Sequence, residues 1–185
     1  AAKVEGMFLD LAKEWKVPFE VLNDGDVTAL AASMSLNRNA VLGIAMGTSV
    51  AAGFVDPKGN LTNWLSELAF VPVDYRVQGP ADEWSGDLGC GVQYFSQQGV
   101  GRLLPLAGIH LPGAMRLPEQ LEELQKLMLG GDARALKVYD AIGIAFGYAI
   151  AHFASFYDIQ CLLIMGRVTS GKGGDVIIER ARSVL

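Results

Sequence analysis

Asn23-Asp24-Gly25-Asp26 and Gly47-Thr48-Ser49 are two turns in which this chain gathers groups capable of chemistry. A carboxylate at a strand end can take a proton from a hydroxyl. A Gly-Thr turn between strands can aim backbone N–H groups and a hydroxyl at a phosphate. The first turn follows the apolar run 17–22, and the second separates the apolar runs 41–46 and 50–55. Together they point to phosphoryl transfer to an alcohol, with Asp24 as the base and Gly47 and Thr48 at the phosphates. Each also has a plainer explanation. Asn-Asp-Gly is good turn chemistry in any protein, and Gly-Thr-Ser suits an ordinary hairpin.

The elements that must position these turns can be traced along the chain. Val4, Met7, Phe8, Leu11 and Trp15 recur at helical spacing and predict a helix over 2–16. A short strand is expected over 17–22, then a helix over 26–35 with Asp26 as its N-cap. Two strands form a hairpin around Gly47-Thr48-Ser49, closed by the Pro/Gly-rich turn 56–60. A third strand is expected to include Phe70–Val73, followed by an ordered loop over 74–91. Helices follow at 91–99 and 118–129. Asp132 caps a long helix reaching about Phe156, 159–165 is a buried strand, and the Gly-rich loop 166–174 leads into a final helix. Hairpin strands followed by helix–strand–helix alternation predict an α/β domain with a mixed sheet and flanking helices.

Composition narrows the classes. At 185 residues and 51% hydrophobic, the chain can bury a core of its own. A net charge of −5 argues against a nucleic-acid-binding surface, which needs a basic stripe. The two cysteines, Cys90 and Cys161, are far apart with no CxxC pairing, so a reduced, cytoplasmic setting is expected and the Asn60-Leu61-Thr62 sequon reads as accidental. The charge-free stretch 141–157 falls short of the roughly 20 residues of a membrane span, and Gly143, Gly147, Ala151 and Ala154 would give it a narrow face for close packing.

Gly166-Arg-Val-Thr-Ser-Gly-Lys172-Gly173 nearly spells the phosphate loop GxxxxGK[ST], after a strand and before a helix. Gly173 stands where the metal-binding hydroxyl belongs, so the loop is read as nucleotide-facing but not as a P-loop. His110 and His152 read as structural histidines. Cys90 has no Cys or His close by in sequence, and structural zinc wants four such ligands.

Several segments, in order, resemble the ROK family of sugar kinases and sugar-responsive repressors. Asn23-Asp24 with its Ala-rich helix is similar to that family's Asn-Asp-Ala-Asn-Ala-Ala segment. Val41 to Val55 resembles its second phosphate motif, and Leu162 to Ser170 the strand and Gly-rich turn that meets the adenosine. The resemblance implies a ribonuclease H-like domain of the actin-like ATPase fold, with ATP and Mg²⁺ used to phosphorylate a sugar or sugar derivative. It implies Asp24 as the base, Asn23 and Glu67 as sugar-binding residues, Gly47 and Thr48 at the ATP phosphates, and Gly166 where backbone approaches the adenosine. It also implies a homodimer; from the acidic charge and the short apolar stretch, no contact of this segment with nucleic acid and none with a membrane is expected.

The chain departs from the family pattern around the sugar. In Ser66-Glu67-Leu68-Ala69-Phe70, Glu67 is kept but Phe70 stands for a histidine that touches sugar and zinc. In the segment aligned with the zinc loop, Cys90 is the one cysteine kept, Glu83 and Ser85 occupy the other cysteine positions, and Val92 replaces a sugar-binding Glu. No zinc is expected, and the substrate is expected to differ from plain glucose. The family's first phosphate loop, Asp-x-Gly-x-Thr, is expected upstream of Ala1 and its last helix beyond Leu185. Residues 1–25 then read as a remnant of the smaller N-terminal domain and 26–185 as the larger domain, truncated at its C-terminus and inactive alone. Two rivals remain: a sugar-sensing repressor domain or a kinase-like protein without chemistry, and an actin-like ATPase without a sugar substrate.

Overall fold

The structure is a computed structural model and describes residues 6–18, 21–62, 64 and 66–185. Three strands form one sheet: β1 Val41–Met46, β2 Val50–Val55 and β3 Cys161–Met165, in the order β2-β1-β3. β1 and β2 are antiparallel, pairing Val41 with Val55 and Met46 with Val50, while β1 and β3 run parallel, Val41 beside Cys161. The mixed α/β sheet expected from the sequence is therefore present.

Alternation along the hairpin separates two faces. Leu42, Ile44, Met46 and Phe54 enter the core, with Phe95, Tyr139, Ile142 and Phe146. Gly43 and Gly53 turn the other way and meet α2 (Asp24–Leu36). The contact is backbone on backbone. A Cβ on Gly25 would sit 2.0 Å from the Ala52 carbonyl oxygen, and one on Gly53 would sit 2.3 Å from that of Gly25. Glycine is required at both places because nothing larger fits.

Several boundaries differ from the sequence-based expectations. α1 spans Met7–Trp15 and buries none of its residues; residues 2–5 lie outside the described set. Val17, Pro18, Val21 and Leu22 are in no strand, and no described strand offers them a partner; Phe19 and Glu20 lie outside the described residues. α2 begins two residues early because Asn23, not Asp26, is its N-cap: the Asn23 side chain accepts the Gly25 N–H at 2.8 Å. The expected strand at 70–73 is a single bridge, Pro72 with Cys90, since proline has no N–H to extend a ladder. The expected helix over 91–99 is broken into α3 (Val92–Phe95) and α4 (Gln97–Leu106) at extended Ser96, whose hydroxyl accepts the Gln98 N–H at 3.0 Å.

The remaining helices are α5 (Leu117–Leu129), α6 (Ala133–Phe153) and α7 (Gly171–Val184). Asp132 caps α6 as expected, accepting the Arg134 N–H at 2.8 Å. α6 ends at Phe153, and Gly143 and Gly147 do mark a close-packing face, against Ile177 and Ala181 of α7. No described helix is long and apolar enough to cross a membrane. α7 begins at Gly171, so the expected loop to Gly174 is shorter and Lys172, Gly173 and Gly174 are helical.

Candidate functional site

The two turns that opened the sequence analysis meet. Asn23, Asp24, Gly47, Thr48 and Glu67, from three separate segments, line one open cleft of about 380 Å³. The Gly25–Ala52 contact fixes the start of α2 against β2, which carries Asn23 and Asp24 to the hairpin tip. Asp24 is exposed there, and its Oδ1 accepts the Gly25 N–H at 2.9 Å. The tip is tight: the Gly47 N–H donates to the Ser49 carbonyl at 2.9 Å. The Gly47 carbonyl accepts the N–H of Gln97, the first residue of α4, also at 2.9 Å. Thr48 and Ser49 are exposed. Half-buried Glu67 lies in a short turn where the Phe70 N–H donates to its carbonyl at 3.1 Å.

Gly47 is unlike the packing glycines. A Cβ there would meet nothing nearer than the Ser49 carbonyl oxygen at 3.8 Å, and its φ lies outside the left-handed region. Neither crowding nor backbone strain calls for a glycine, and the space above it opens into the cleft. Gly166 is the opposite case. Its φ is 108° and a Cβ would sit 2.4 Å from the Met46 carbonyl oxygen, where the Val168 N–H also donates at 3.2 Å. Gly166 therefore stands beside the end of β1 and does not line the cleft, and its φ and its packing on Met46 already require a glycine.

The first turn of α2 also holds Asp26, whose Oδ1 is buried without a hydrogen-bond partner. Burial pushes its carboxyl above the ordinary range. Val92 is 1% exposed and packs in the core, so it takes no part in the cleft.

In the segment aligned with a zinc loop, the Cys90 thiol is buried and donates to the Asp87 carbonyl at 3.6 Å; burial, then the charges of Asp87 and Asp82, push it up. Glu83 and Ser85 are exposed. Among the described residues no group of three or more His, Cys, Asp or Glu could hold a metal ion. The loop is held by other means. The Asp82 carboxylate accepts the Trp84 and Ser85 N–H groups at 3.1 and 2.8 Å. Asp74 accepts from Arg76 and from the Tyr94 hydroxyl, and the Arg76 guanidinium holds the Asp74 carboxyl far below the carboxylate range. Burial, then the bond to Asp74, pushes Tyr94 up to about 12.

Lys172 is exposed on α7. His152 is half-buried, with Nε2 3.4 Å from the Tyr75 hydroxyl, as a structural histidine would be; His110 is exposed instead. Sequence reasoning missed the Gln97–Gly47 bond, which no local pattern announces. It also missed Asp82, whose position ahead of Ser85-Gly86 was a turn signal.

The sheet, its flanking helices and the cleft at the hairpin tip define an α/β domain of the actin-like ATPase fold. Solved structures narrow this to the fold of ROK proteins. A ROK hexokinase from Thermus thermophilus superposes with a TM-score of 0.77 at 18% identity, over 96% of this chain and 59% of that one. A ROK family transcriptional regulator, a homolog of the E. coli MLC protein, gives 0.77 at 21% identity, over 96% and 46%. A ROK family glucokinase from Streptomyces griseus, solved with glucose and AMPPNP, gives 0.71 at 18% identity, over 96% and 61%. The chain thus spans less than two thirds of the length of each. No protein-family model and no curated protein matches it.

Proposed function

We propose that this chain is the larger part of a ROK-family carbohydrate kinase, with residues 1–25 from the smaller domain and 26–185 forming the larger one. The reaction is transfer of the ATP γ-phosphate to a hydroxyl of a sugar or sugar derivative. Asp24 takes the hydroxyl proton as the new O–P bond forms and the bond to the ADP oxygen breaks. Asn23 and Glu67 hold neighbouring hydroxyls. The Gly47–Thr48 turn holds the phosphates through its backbone and the Thr48 hydroxyl, and Gly166 lies beyond it on the adenosine side. Phosphoryl transfer asks a protein mainly for positioning and charge stabilisation, so a sparse set suffices.

The observation that carries this reading is the meeting of five candidate residues from three segments in one cleft, with a glycine at the hairpin tip that packing does not explain. The donors present fit Mg²⁺ arriving on nucleotide phosphates, which needs only one or two carboxylates; Asp24 and Glu67 line the cleft. When bound, the metal would neutralise phosphate charge. The family resemblance brings a cytoplasmic location and a homodimer into the same proposal.

A second reading, a sugar-sensing domain of a repressor, draws on the regulator, which matches the fold as well as the hexokinase does. A kinase assay on a protein of the neighbours' full length separates the two. Asp24→Asn is expected to keep nucleotide binding and lower turnover at least about 10²-fold, as loss of a general base does. Turnover within a few fold of wild type would remove Asp24 as the base, and no turnover in wild type with sugar binding retained would favour the repressor.

A further inference from the structure

A second cavity, of about 590 Å³, lies away from the cleft, between the 80–84 segment and helices α4 and α5. Its walls include Asp82, Trp84, Gln93, Gln98, Arg102 and Gln120. Trp84 is 83% exposed, and its backbone is anchored in this wall. Its backbone N–H donates to the Asp82 carboxylate, and its ring lies 5.4 Å from that of Phe70. What sets this indole apart from other exposed apolar side chains is its place on a cavity wall beside Gln98, Arg102 and Gln120, where its face is open to a ligand.

The polar groups are ordered in series. Asp82 is 4% and Gln93 7% exposed, and the Asp82 carboxylate is taken up by the Trp84 and Ser85 N–H groups. Gln93 Nε2 donates to Gln98 Oε1 at 2.8 Å, leaving the Gln98 amide N–H groups as donors. Gln120 Nε2 donates to the Met115 carbonyl at 2.8 Å, leaving its oxygen as an acceptor. Arg102 donates Nε and Nη2 to the Gln93 carbonyl at 3.1 and 3.0 Å and lies 4.9 Å over the Tyr94 ring, leaving Nη1 as a donor.

We propose that this cavity binds a neutral saccharide ring, stacked on Trp84 and hydrogen-bonded by Gln98, Gln120 and Arg102, at a site separate from the phosphoryl-transfer cleft. An indole suits the apolar face of a pyranose, and fixed planar amides and a guanidinium suit its hydroxyls. Asp82 and Glu83 outnumber Arg102 on the walls and repel phosphorylated sugars. A single aromatic wall is too little for a quaternary ammonium, which takes a cage. α4 links the two sites, since it carries Gln98 and Arg102 on the cavity and its first N–H on the Gly47 carbonyl.

The test is a titration of the isotope-labelled chain with maltose, watching the three tryptophan indole N–H signals, that of Trp84 assigned by its loss in Trp84→Phe. The Trp84 signal is expected to shift saturably at millimolar maltose, Gln98→Ala to weaken that response about fivefold, and glucose 6-phosphate to give a weaker one. Asp24→Asn should leave the Trp84 response unchanged, so failure of the kinase reading and failure of this site are distinguishable. No Trp84 shift, an undiminished response in Gln98→Ala, or a preference for glucose 6-phosphate would each overturn the assignment.

Discussion

The Gly47–Ser49 turn and the Gly166–Gly174 segment both follow a strand of the same sheet, and both mix glycines with hydroxyls, yet their glycines answer to different neighbours. In the second segment packing explains Gly166, Gly173 and Gly174, while Gly171, with no neighbour within 4 Å, is called for by its left-handed φ of 66°. A Cβ on Gly166 would strike the Met46 backbone, one on Gly173 would lie 2.2 Å from the Tyr139 ring, and one on Gly174 would lie 1.8 Å from the Thr169 carbonyl oxygen. These residues seat α7 on its neighbours. At Gly47 nothing in the protein occupies the space. The segment that most resembles a phosphate loop is thus a packing device, while the plainer turn keeps room for a ligand. A glycine's neighbours, more than its motif, distinguish the two uses.

The largest effect that sharpens this contrast is on stability. Gly174→Ala, like Gly25→Ala at the α2–β2 contact, forces backbone apart. Each should cost about 3 kcal/mol and lower Tm by roughly 6–12 °C in a thermal melt, whereas Gly47→Ala should stay within about 0.5 kcal/mol of wild type. Next is nucleotide affinity in a protein of the neighbours' full length. By calorimetric titration, Gly47→Ala should weaken AMPPNP about tenfold, or about 1.4 kcal/mol.

A smaller effect concerns half-buried Asp26, one carboxylate oxygen of which is buried without a partner. Its raised carboxyl pKa means that the folded state holds the proton more tightly than the unfolded chain. That contribution is fully present below the unfolded value and is lost as pH rises through the folded one, leaving a buried charge at neutral pH. Asp26→Asn should therefore gain up to about 1 kcal/mol at pH 7 in denaturant titration, and the gain should vanish toward acid pH. The smallest effect is at Lys172, exposed on α7: Lys172→Ala should leave nucleotide affinity within about twofold. A large loss there would restore the P-loop reading and reverse the comparison.

Much of the architecture was legible because it rests on local signals. The hairpin follows from two apolar runs around Gly-Thr-Ser, and α6 from its Asp132 cap and its small-residue face. The errors came where non-local partners decide. Val17 to Leu22 has strand-like residues but no strand beside it, Pro72 ends a ladder after one bridge, and Ser96 diverts a helix by taking the next one's N-cap. At the site, Asn23, Asp24, Gly47 and Thr48 were visible because turns expose their chemistry. Their meeting was not legible from local pattern, since it depends on the Gly25–Ala52 contact across the α2–β2 interface, and Glu67 entered through the family resemblance alone. Val92, which replaces the family's sugar-binding Glu, is buried in the core and fills no role at the cleft.

The most direct measurement is the position of the nucleotide phosphates in a crystal of a protein of the neighbours' full length grown with AMPPNP and a sugar. The account predicts the γ-phosphate on the Gly47–Thr48 turn, with a sugar hydroxyl within hydrogen-bond distance of Asp24. Phosphates seated instead on Gly171–Gly173 at the start of α7 would contradict it.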